Sequence, residues 1–234
     1  MNVQGNTLPL RTRKPRGQGA SRRGEILEAA KQLFIEEGFP QATMRRIAAV
    51  VGVSPTALYL HFSDKEAILQ AIADDFFDEL LVELHNSEGT ETTPLAKLRA
   101  GMCAYVKFAL ERADEYRLTF QVRHVKLAPD QQPDHGDLPF EVLESAVQHL
   151  LDEGVFRPGD PVVISETIWC ALHGLTAVLM DHKHPERSTR DVLMNSVIAM
   201  ILLGLCSRET DILEGRPGLC PGPAGAVVRS TPPA

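Results

Sequence analysis

Residues 43 to 65 bring together side chains suited to contact with nucleic acid. Thr43 offers a hydroxyl, Tyr59 a phenol and Lys65 an ammonium, and all three can bind phosphate oxygens. Arg45 adds a guanidinium, whose planar fork can bond two acceptors on a guanine edge. These residue types predict several contacts that position a protein on the DNA backbone and fewer contacts that read bases.

Two short helices are predicted to position these side chains. Thr43 is the predicted N-cap of the first, and Gly52 permits the left-handed turn that ends it. Ser54 is the predicted N-cap of the second, with Pro55 at its first position. Two helices joined by a tight turn with glycine are typical of a helix-turn-helix, in which the second helix enters the major groove. Five apolar residues have spacings that fit a three-helix core: Ile47, Val51, Val53, Leu58 and Phe62.

One further helix is predicted on each side of this pair. Apolar residues recur at helical spacing from Ile26 onward, and Gly38 is the predicted C-cap of that first helix. Ser63 and Glu66, three residues apart, predict a capping box at the start of a long fourth helix. Its apolar residues repeat with helical period as far as Leu84, so this helix is expected to extend from the N-terminal unit into the next one.

The segment TMRRIAAVVGVSPTALYLHFSDKEAIL resembles the DNA-binding domain of the TetR family. It has that domain's usual order of Thr, Ile-Ala, Gly-Val-Ser, Leu-Tyr, His-Phe and Lys-Glu. The resemblance covers roughly residues 22 to 70 and includes Phe34 and the Gly38-Phe39 end of the first helix. It implies a bacterial transcriptional regulator that acts as a homodimer and has an all-helical, ligand-binding C-terminal domain.

The resemblance also implies roles for individual residues. The positions that match phosphate contacts are Thr43, Tyr59, His61 and Lys65. The positions that match residues near bases are Arg45, Pro55, Thr56, Ala57 and Leu60. Three members of the second set have no polar side-chain donor, so direct hydrogen-bond readout is expected to be limited and the operator sequence is not readable. For Arg45, simple exposure to solvent is the alternative.

Charge is distributed unevenly along the chain. The net charge is -7, but residues 1–65 carry ten Lys and Arg against five Asp and Glu, and the rest carries 14 against 26. Only the N-terminal part is therefore suited to phosphate. Residues 1–21, with four basic side chains and no acid, are predicted to be a flexible basic arm that either contacts DNA or only aids solubility.

Beyond Gly89 the pattern predicts helices and no strands. Thr93 and Pro94 are predicted to open a helix that extends to about Arg112, with Thr93 as its cap, and further helices are predicted over residues 138–152, 161–181 and 188–206.

The predicted fold is all-α, with a three-helix helix-turn-helix domain and a larger helical ligand-binding and dimerisation domain. The predicted boundaries are 1–21 for the basic arm, 22–66 for the DNA-binding domain, 67–208 for the helical domain and 209–234 for a disordered tail rich in Pro and Gly.

One helix of the C-terminal part carries a polar and aromatic face. Trp169, His173 and Thr176 share that face by their spacing, in a pattern similar to a C-terminal domain variant found in part of the TetR family. His173 is expected either to line a pocket or to be a hydrogen-bonded core or interface residue. Gly174 interrupts strong helix formers, so we expect another helix or a ligand to approach closely there.

The effector site is expected to be concave and mostly apolar. The candidate lining residues are Met102, Tyr105, Phe108, Phe120, His124, Trp169 and His173. The alternative is that these side chains are ordinary core residues, since aromatic residues and methionines at helical spacing often are.

The last predicted helix is apolar on nearly all sides and so needs two packing surfaces. Leu193, Val197, Ile201 and Leu205 form one stripe, with Met194, Ile198 and Leu202 beside it. We expect one surface to pack within its own domain and the other, with the helix of Glu166, to form a four-helix interface with a second copy. A symmetric dimer would read a palindromic operator, and an effector that prefers another spacing of the two reading helices would release it.

Several classes of protein are not indicated. There is no signal peptide and no uninterrupted apolar span, so a cytoplasmic protein that does not bind membranes is predicted. The four cysteines lie far apart without a CxxC pair, and the motifs GxSxG, HExxH and GxxxxGK[ST] are missing. We therefore predict no enzyme, no cofactor and no metal site.

Two alternatives remain open. His124, His173, His182 and His184 could serve a metal-responsive regulator, although a His-Lys-His segment at a helix end is also typical of a solvated terminus. A DNA-binding assembly protein without sequence preference is the other alternative, and the acidic bulk of the chain argues against it.

Overall fold

The structure is a computed structural model that describes residues 19–89, 91–122, 137–181 and 189–207. Within these ranges the secondary structure is helical, with one isolated antiparallel bridge between Phe156 and Cys206, so the predicted all-α fold is confirmed. Most of the predicted basic arm, all of the predicted tail and the candidate His124 lie outside the described residues, and residues 19–21 of the predicted arm belong to the first helix.

The helices follow one another in the order that the periodicity predicts. Their bounds are α1 Gly19–Leu33, α2 Met44–Val51, α3 Pro55–Tyr59, α4 Lys65–Glu88, α5 Pro94–Glu111, α6 Ala113–Arg117, α7 Asp137–Asp152, α8 Pro161–Met180 and α9 Arg190–Leu205. Two π-helical turns, Phe34–Gly38 and Leu118–Val122, extend α1 and α6. α1 begins at Gly19, three residues before the predicted start of the DNA-binding domain at Arg22, because apolar spacing locates the buried face of a helix and not its first turn.

Polar caps start most of these helices where the sequence predicts them. Thr43, Ser54 and Thr93 each accept a hydrogen bond from the backbone N–H three residues ahead. Gly38 and Gly52 have φ of 85° and 77°, the left-handed conformation expected at the ends of α1 and α2.

The predicted capping box at the start of α4 is wrong. Asp64, not Ser63, caps this helix, because its Oδ1 accepts from the backbone N–H of Ala67 at 2.6 Å. The Ser63 hydroxyl donates to Asp64 Oδ2 at 2.9 Å instead. A carboxylate is the stronger acceptor at the positive end of a helix, and this one lies a single residue nearer to α4.

The described residues divide into two compact units. The first unit takes those of residues 1–75 and 114–127, and the second unit takes those of 76–113 and 128–234. The division falls inside α4, nine residues after the predicted boundary, because Ile68, Leu69 and Ile72 are buried in the core of the first unit. Leu118 joins the same core, which sequence distance alone does not reveal.

In the second unit, α5 packs against α7, α8 and α9. Side chains from each of these helices are buried there, among them Met102, Val106, Leu150, Ile168 and Ile198. The segment after α7 is hydrogen-bonded to the end of α9. Arg157 N donates to Leu205 O at 2.8 Å, and Ser207 N donates to Val155 O at 2.8 Å. Phe156 is fully buried between these hydrogen bonds.

Candidate nucleic-acid interface and effector region

The first unit contains a helix-turn-helix built from α2 and α3. After α2 the backbone N–H groups of Gly52 and Val53 both donate to Ala48 O, at 3.0 and 2.9 Å. Ser54 Oγ then accepts from Ala57 N at 3.1 Å and starts α3. Leu58 is fully buried beside Ile47, so α3 is held to α2 by its inner face. Its other faces remain available to a ligand.

Most of the predicted DNA-contacting side chains lie on the surface of this unit. Leu60 is 84% exposed and Tyr59 is 55% exposed, which is unusual for large apolar or aromatic side chains and typical of an interaction surface. Thr43, Arg45, Pro55, Thr56 and His61 are also exposed, and Ala57 and Lys65 are half-buried. The roles of these residues toward DNA stay predictions.

The two neighbouring arginines of α2 differ in their surroundings. Arg46 donates to Glu37 Oε1 through Nε at 3.1 Å and through Nη2 at 3.0 Å. Arg45 is exposed and makes no hydrogen bond or ion pair with the side chains that the structure describes. Its guanidinium is therefore the one of the two that can reach a base without first breaking an ion pair.

Lys65, predicted to contact phosphate, is engaged within its own chain. Its Nζ donates to Phe39 O at 2.8 Å and to Pro40 O at 3.3 Å. The same ammonium lies 4.5 Å from the centroid of the Phe39 ring. Sequence spacing gives no sign of these contacts, because 26 residues separate Lys65 from Phe39.

Three of the candidate effector residues meet in the second unit. Tyr105 Oη and His173 Nδ1 are 2.8 Å apart, and the two rings are stacked with centroids 5.8 Å apart. The Trp169 ring lies 4.3 Å from the His173 ring. Tyr105 is buried and Trp169 is 38% exposed, so this cluster extends from the interior to the surface.

Two neighbours of this cluster are buried. Thr176, one turn beyond His173, is fully buried, and its Oγ1 has no hydrogen-bond partner within the described part of the chain. Met102, on α5 with Tyr105, is also buried.

Burial lowers the pKa of His173 from 6.5 to about 4, because the interior disfavours the charged imidazolium. The ring is therefore neutral near pH 7. One ring nitrogen of a neutral imidazole donates and the other accepts, so together with the Tyr105 hydroxyl it forms an uncharged hydrogen-bonding pair.

Two further candidates, Phe108 and Phe120, make other ring contacts. Phe108 packs on Phe76 with ring centroids 5.1 Å apart and lines a separate groove of about 340 Å³. Phe120 belongs to the first unit, where it packs on Tyr116 at 4.8 Å. Helical spacing could not separate these residues, since it gives the face of a helix and not the neighbour that covers it.

The expected close approach at Gly174 is not found within the described chain. Gly174 is exposed, and a Cβ added there would meet no atom within 4 Å. Gly204 on α9 is also exposed with open space around it. A glycine that weakens the helix on an open face leaves room there for the close approach of a group outside the described residues.

α8 and α9 both present apolar side chains outward. Val163, Trp169 and Val178 are exposed on α8, and Val192, Met200 and Leu203 are exposed on α9. On α9 the stripe of Met194, Ile198 and Leu202 is the buried one. α8 is long and apolar enough to cross a membrane by length and composition, and only 28% of its most apolar window is buried. We define these outward apolar residues as the α8–α9 face.

No group of three His, Cys, Asp or Glu side chains able to hold a metal ion occurs among the described residues. His182 and His184, on which the metal-responsive alternative rests together with His124, lie outside them.

Comparison with protein families identifies both units. Residues 26–72 match the family described as bacterial regulatory proteins, tetR family. Residues 98–201 match a family described as tetracyclin repressor-like, C-terminal domain. The two matches cover the helix-turn-helix and most of the second unit.

Two similar proteins from Mycolicibacterium smegmatis are transcriptional regulators. The transcriptional repressor KstR2 is 30% identical over 164 residues, which cover 66% of this chain and 80% of KstR2. The transcriptional activator FasR is 34% identical over 124 residues, which cover 53% of this chain and 52% of FasR. The chain thus spans about half the length of FasR.

Among solved structures, the ketosteroid transcriptional regulator KstR2 of Mycobacterium tuberculosis is similar over 82% of this chain and 98% of its own, with a TM-score of 0.60 and 25% identity. Sequence and structure therefore point to the same group of regulators.

Proposed function

Since the chain belongs to the TetR family of bacterial regulatory proteins, we propose that it represses transcription from a palindromic operator and leaves that operator when a small molecule binds its second unit. The observation that carries this proposal is the outer surface of the helix-turn-helix, where Arg45, Tyr59 and Leu60 are exposed around a rigid buried core. Regulators of this family bind operator DNA and small-molecule effectors and typically act as homodimers.

Within the reading surface we assign two kinds of contact. Thr43, Tyr59 and His61 are suited to phosphates, because hydroxyl, phenol and imidazole groups can donate to phosphate oxygens. Arg45 is the candidate reader of guanine, and the absence of an ion pair with any described side chain supports that role. Pro55, Thr56, Ala57 and Leu60 would contact thymine methyls or sugars, apart from the Thr56 hydroxyl.

We propose that a second copy of the chain covers the α8–α9 face. An outward apolar surface on two adjacent helices is costly to leave in water, and a two-fold axis lets the same surface cover itself. The open space beside Gly174 and Gly204 supports this arrangement, since small residues let helix backbones approach closely. In that dimer α8 serves as an interface helix, and we place the protein in the cytoplasm.

For the effector we propose an uncharged, mainly apolar molecule that carries a hydroxyl or carbonyl group. Tyr105 and neutral His173 offer a donor and an acceptor without charge, and Trp169 supplies apolar surface beside them. The name of the ketosteroid regulator KstR2 is consistent with such a ligand class. Trp169 is the only tryptophan of the chain, so a change in its fluorescence on addition of a candidate compound reports binding at this cluster.

We propose that α4 transmits this binding to the reading surface. It is a single continuous helix whose first residues belong to the first unit and whose last residues belong to the second. An effector that prefers one arrangement of α4 would lower the population that fits the operator. Activation by the liganded form would use the same elements, and we infer no catalytic activity.

The test is selection of binding sites from random duplex DNA by the purified full-length protein. A palindrome is expected, because two identical reading helices meet two half-sites. Failure to enrich any sequence, in the absence or presence of effector, would contradict the operator-binding function and favour a DNA-binding protein without sequence preference.

Three variants then assign the contacts. Tyr59→Phe, which removes only the hydroxyl, should weaken all sequences by a similar factor, whereas Arg45→Ala should relax a single position of the palindrome at a cost of about 1–3 kcal/mol there. Arg46→Ala is the matched control, since Arg46 is already paired with Glu37 and should leave the selected sequence unchanged. Relaxation by Arg46→Ala and not by Arg45→Ala would reverse the assignment.

A further inference from the structure

We infer that Lys65 acts on DNA binding as a positioning residue that holds the Phe39–Pro40 segment before α2, and not as a phosphate contact. The inference rests on the proposed operator binding. It assigns to a basic residue on the DNA-binding unit a role inside the protein.

The contacts of the Lys65 ammonium support this role. Two of its three donors are directed at main-chain oxygens, Phe39 O at 2.8 Å and Pro40 O at 3.3 Å. Its charge also lies 4.5 Å from the centre of the Phe39 ring, within the range of a cation–π interaction. A phosphate would have to compete with all three interactions for an ammonium that is already half-buried.

The position of Lys65 in its helix supports the same conclusion. Lys65 is the first residue of α4, where the helix dipole disfavours a positive side chain. The two carbonyl oxygens and the aromatic face compensate that unfavourable placement. The resulting contact joins α4 to a segment 25 and 26 residues earlier in the chain.

The segment that Lys65 holds sets the start of α2. Phe39 packs edge-on against the buried Phe34 with ring centroids 5.0 Å apart. Gln41 N and Ala42 N both donate to Gly38 O at 3.2 Å, and Thr43 then caps α2. If the Lys65 contact is lost, this short segment has fewer constraints, and α2 and Arg45 are held less firmly.

Two kinds of measurement distinguish this role from a phosphate contact. The slope of log affinity against log salt is negative, and each phosphate contact that is lost reduces its magnitude by about 0.9, hence by about 1.8 for the two copies of a dimer. A positioning residue lowers affinity without changing the number of phosphates neutralised. Its effect also depends on Phe39, so the two substitutions should not be additive.

The experiment measures affinity for the selected operator between about 50 and 200 mM salt for Lys65→Met, Phe39→Leu and the double variant. We expect about a tenfold loss for Lys65→Met at every salt concentration, an unchanged slope, and a loss in the double variant that is smaller than the product of the two single losses, because the two substitutions remove the same cation–π contact. Lys65→Arg should recover most of the affinity, because its guanidinium can also stack on Phe39 and donate to carbonyls. Lys97→Met is the control, since it removes a lysine whose exposed ion pair with Glu88 lies in the second unit.

Amide hydrogen exchange without DNA gives a second readout. Lys65→Met should speed exchange at Gln41 and Ala42, and Lys65→Arg should restore it. If Lys65→Met does not fold, Phe39→Leu provides the same exchange comparison.

A slope reduced by about 1.8, additive losses and unchanged exchange would overturn the inference. If the wild type selects no operator, the proposed function fails, whereas the exchange data still decide whether Lys65 holds the segment.

Discussion

At the scale of single residues, the surroundings of a side chain change what its type predicts. His173 would titrate near neutrality in water, but burial lowers its pKa to about 4. Arg45 and Arg46 are chemically identical neighbours, yet among the described side chains Arg46 is paired with Glu37 and Arg45 has no such partner. The pKa of His173 and the ion pair of Arg46 both depend on residues that fold against them from other parts of the chain. Neither property can therefore be predicted from the local sequence.

The first prediction concerns the pH dependence of stability through His173. Below pH 6.5 the unfolded chain binds a proton at this residue and the folded chain does not, so the free energy of unfolding should fall as the pH drops toward 4. Between pH 7 and pH 5 the free energy of unfolding of the wild type should fall by on the order of 1 kcal/mol more than that of His173→Gln. The difference is modest because part of the ring is screened by solvent. Urea unfolding at fixed protein concentration measures both proteins, and parallel pH profiles would contradict the prediction.

At the scale of elements, local signals specify several of the helix starts and ends that the structure describes. Thr43, Ser54 and Thr93 cap the helices they were predicted to cap, and Gly52 ends α2 in the left-handed conformation. α4 is the exception at its start, where two adjacent polar residues could each serve as the cap. Such a choice is decided by a hydrogen bond to one backbone N–H, which residue spacing cannot resolve.

The second prediction tests that cap. Asp64→Ala should lower the free energy of unfolding by about 1 kcal/mol, because the Ala67 N–H loses its acceptor at the positive end of α4. Ser63→Ala is the matched control and should cost only a few tenths of a kcal/mol, since the Ser63 hydroxyl bonds the Asp64 carboxylate and no backbone N–H. Equal losses in thermal unfolding would mean that both residues cap the helix.

At the scale of the whole molecule, α8 and α9 present an apolar surface that is exposed in the described part of the chain. The α8–α9 face includes Met200, which is 64% exposed, and Leu203 beside it on the same face of α9. The second copy proposed above would cover this face, because a two-fold axis places the same apolar surface opposite itself.

The third prediction is that Met200→Glu yields a folded monomer. A carboxylate on the α8–α9 face would be buried without a partner in the dimer, which should weaken association by at least about 100-fold. Operator affinity should fall with it, because a monomer contacts only one half-site. Val142→Glu places the same group at a residue of α7 that is 46% exposed and should leave the dimer intact. Sedimentation equilibrium measures the association state of each protein. A Met200→Glu protein that remains a dimer would mean that the interface lies on another surface.

The sequence by itself determined the helix order, most caps, the helix-turn-helix and its buried residues. Each of these follows from local spacing: 3.6-residue periodicity, capping side chains and glycine in a left-handed turn. It also led to the family, because the motif from Thr43 to Lys65 is contiguous in the chain.

The tertiary structure decided which distant residues meet. It brought Tyr105, Trp169 and His173 into contact. It packed Phe108 on Phe76 and Phe120 on Tyr116. It also directed the Lys65 ammonium toward the Phe39 carbonyl oxygen. It also selected the buried stripe of α9 and left the other surface open. These outcomes depend on packing between residues separated by tens of positions, where periodicity gives the face of a helix but not its neighbour.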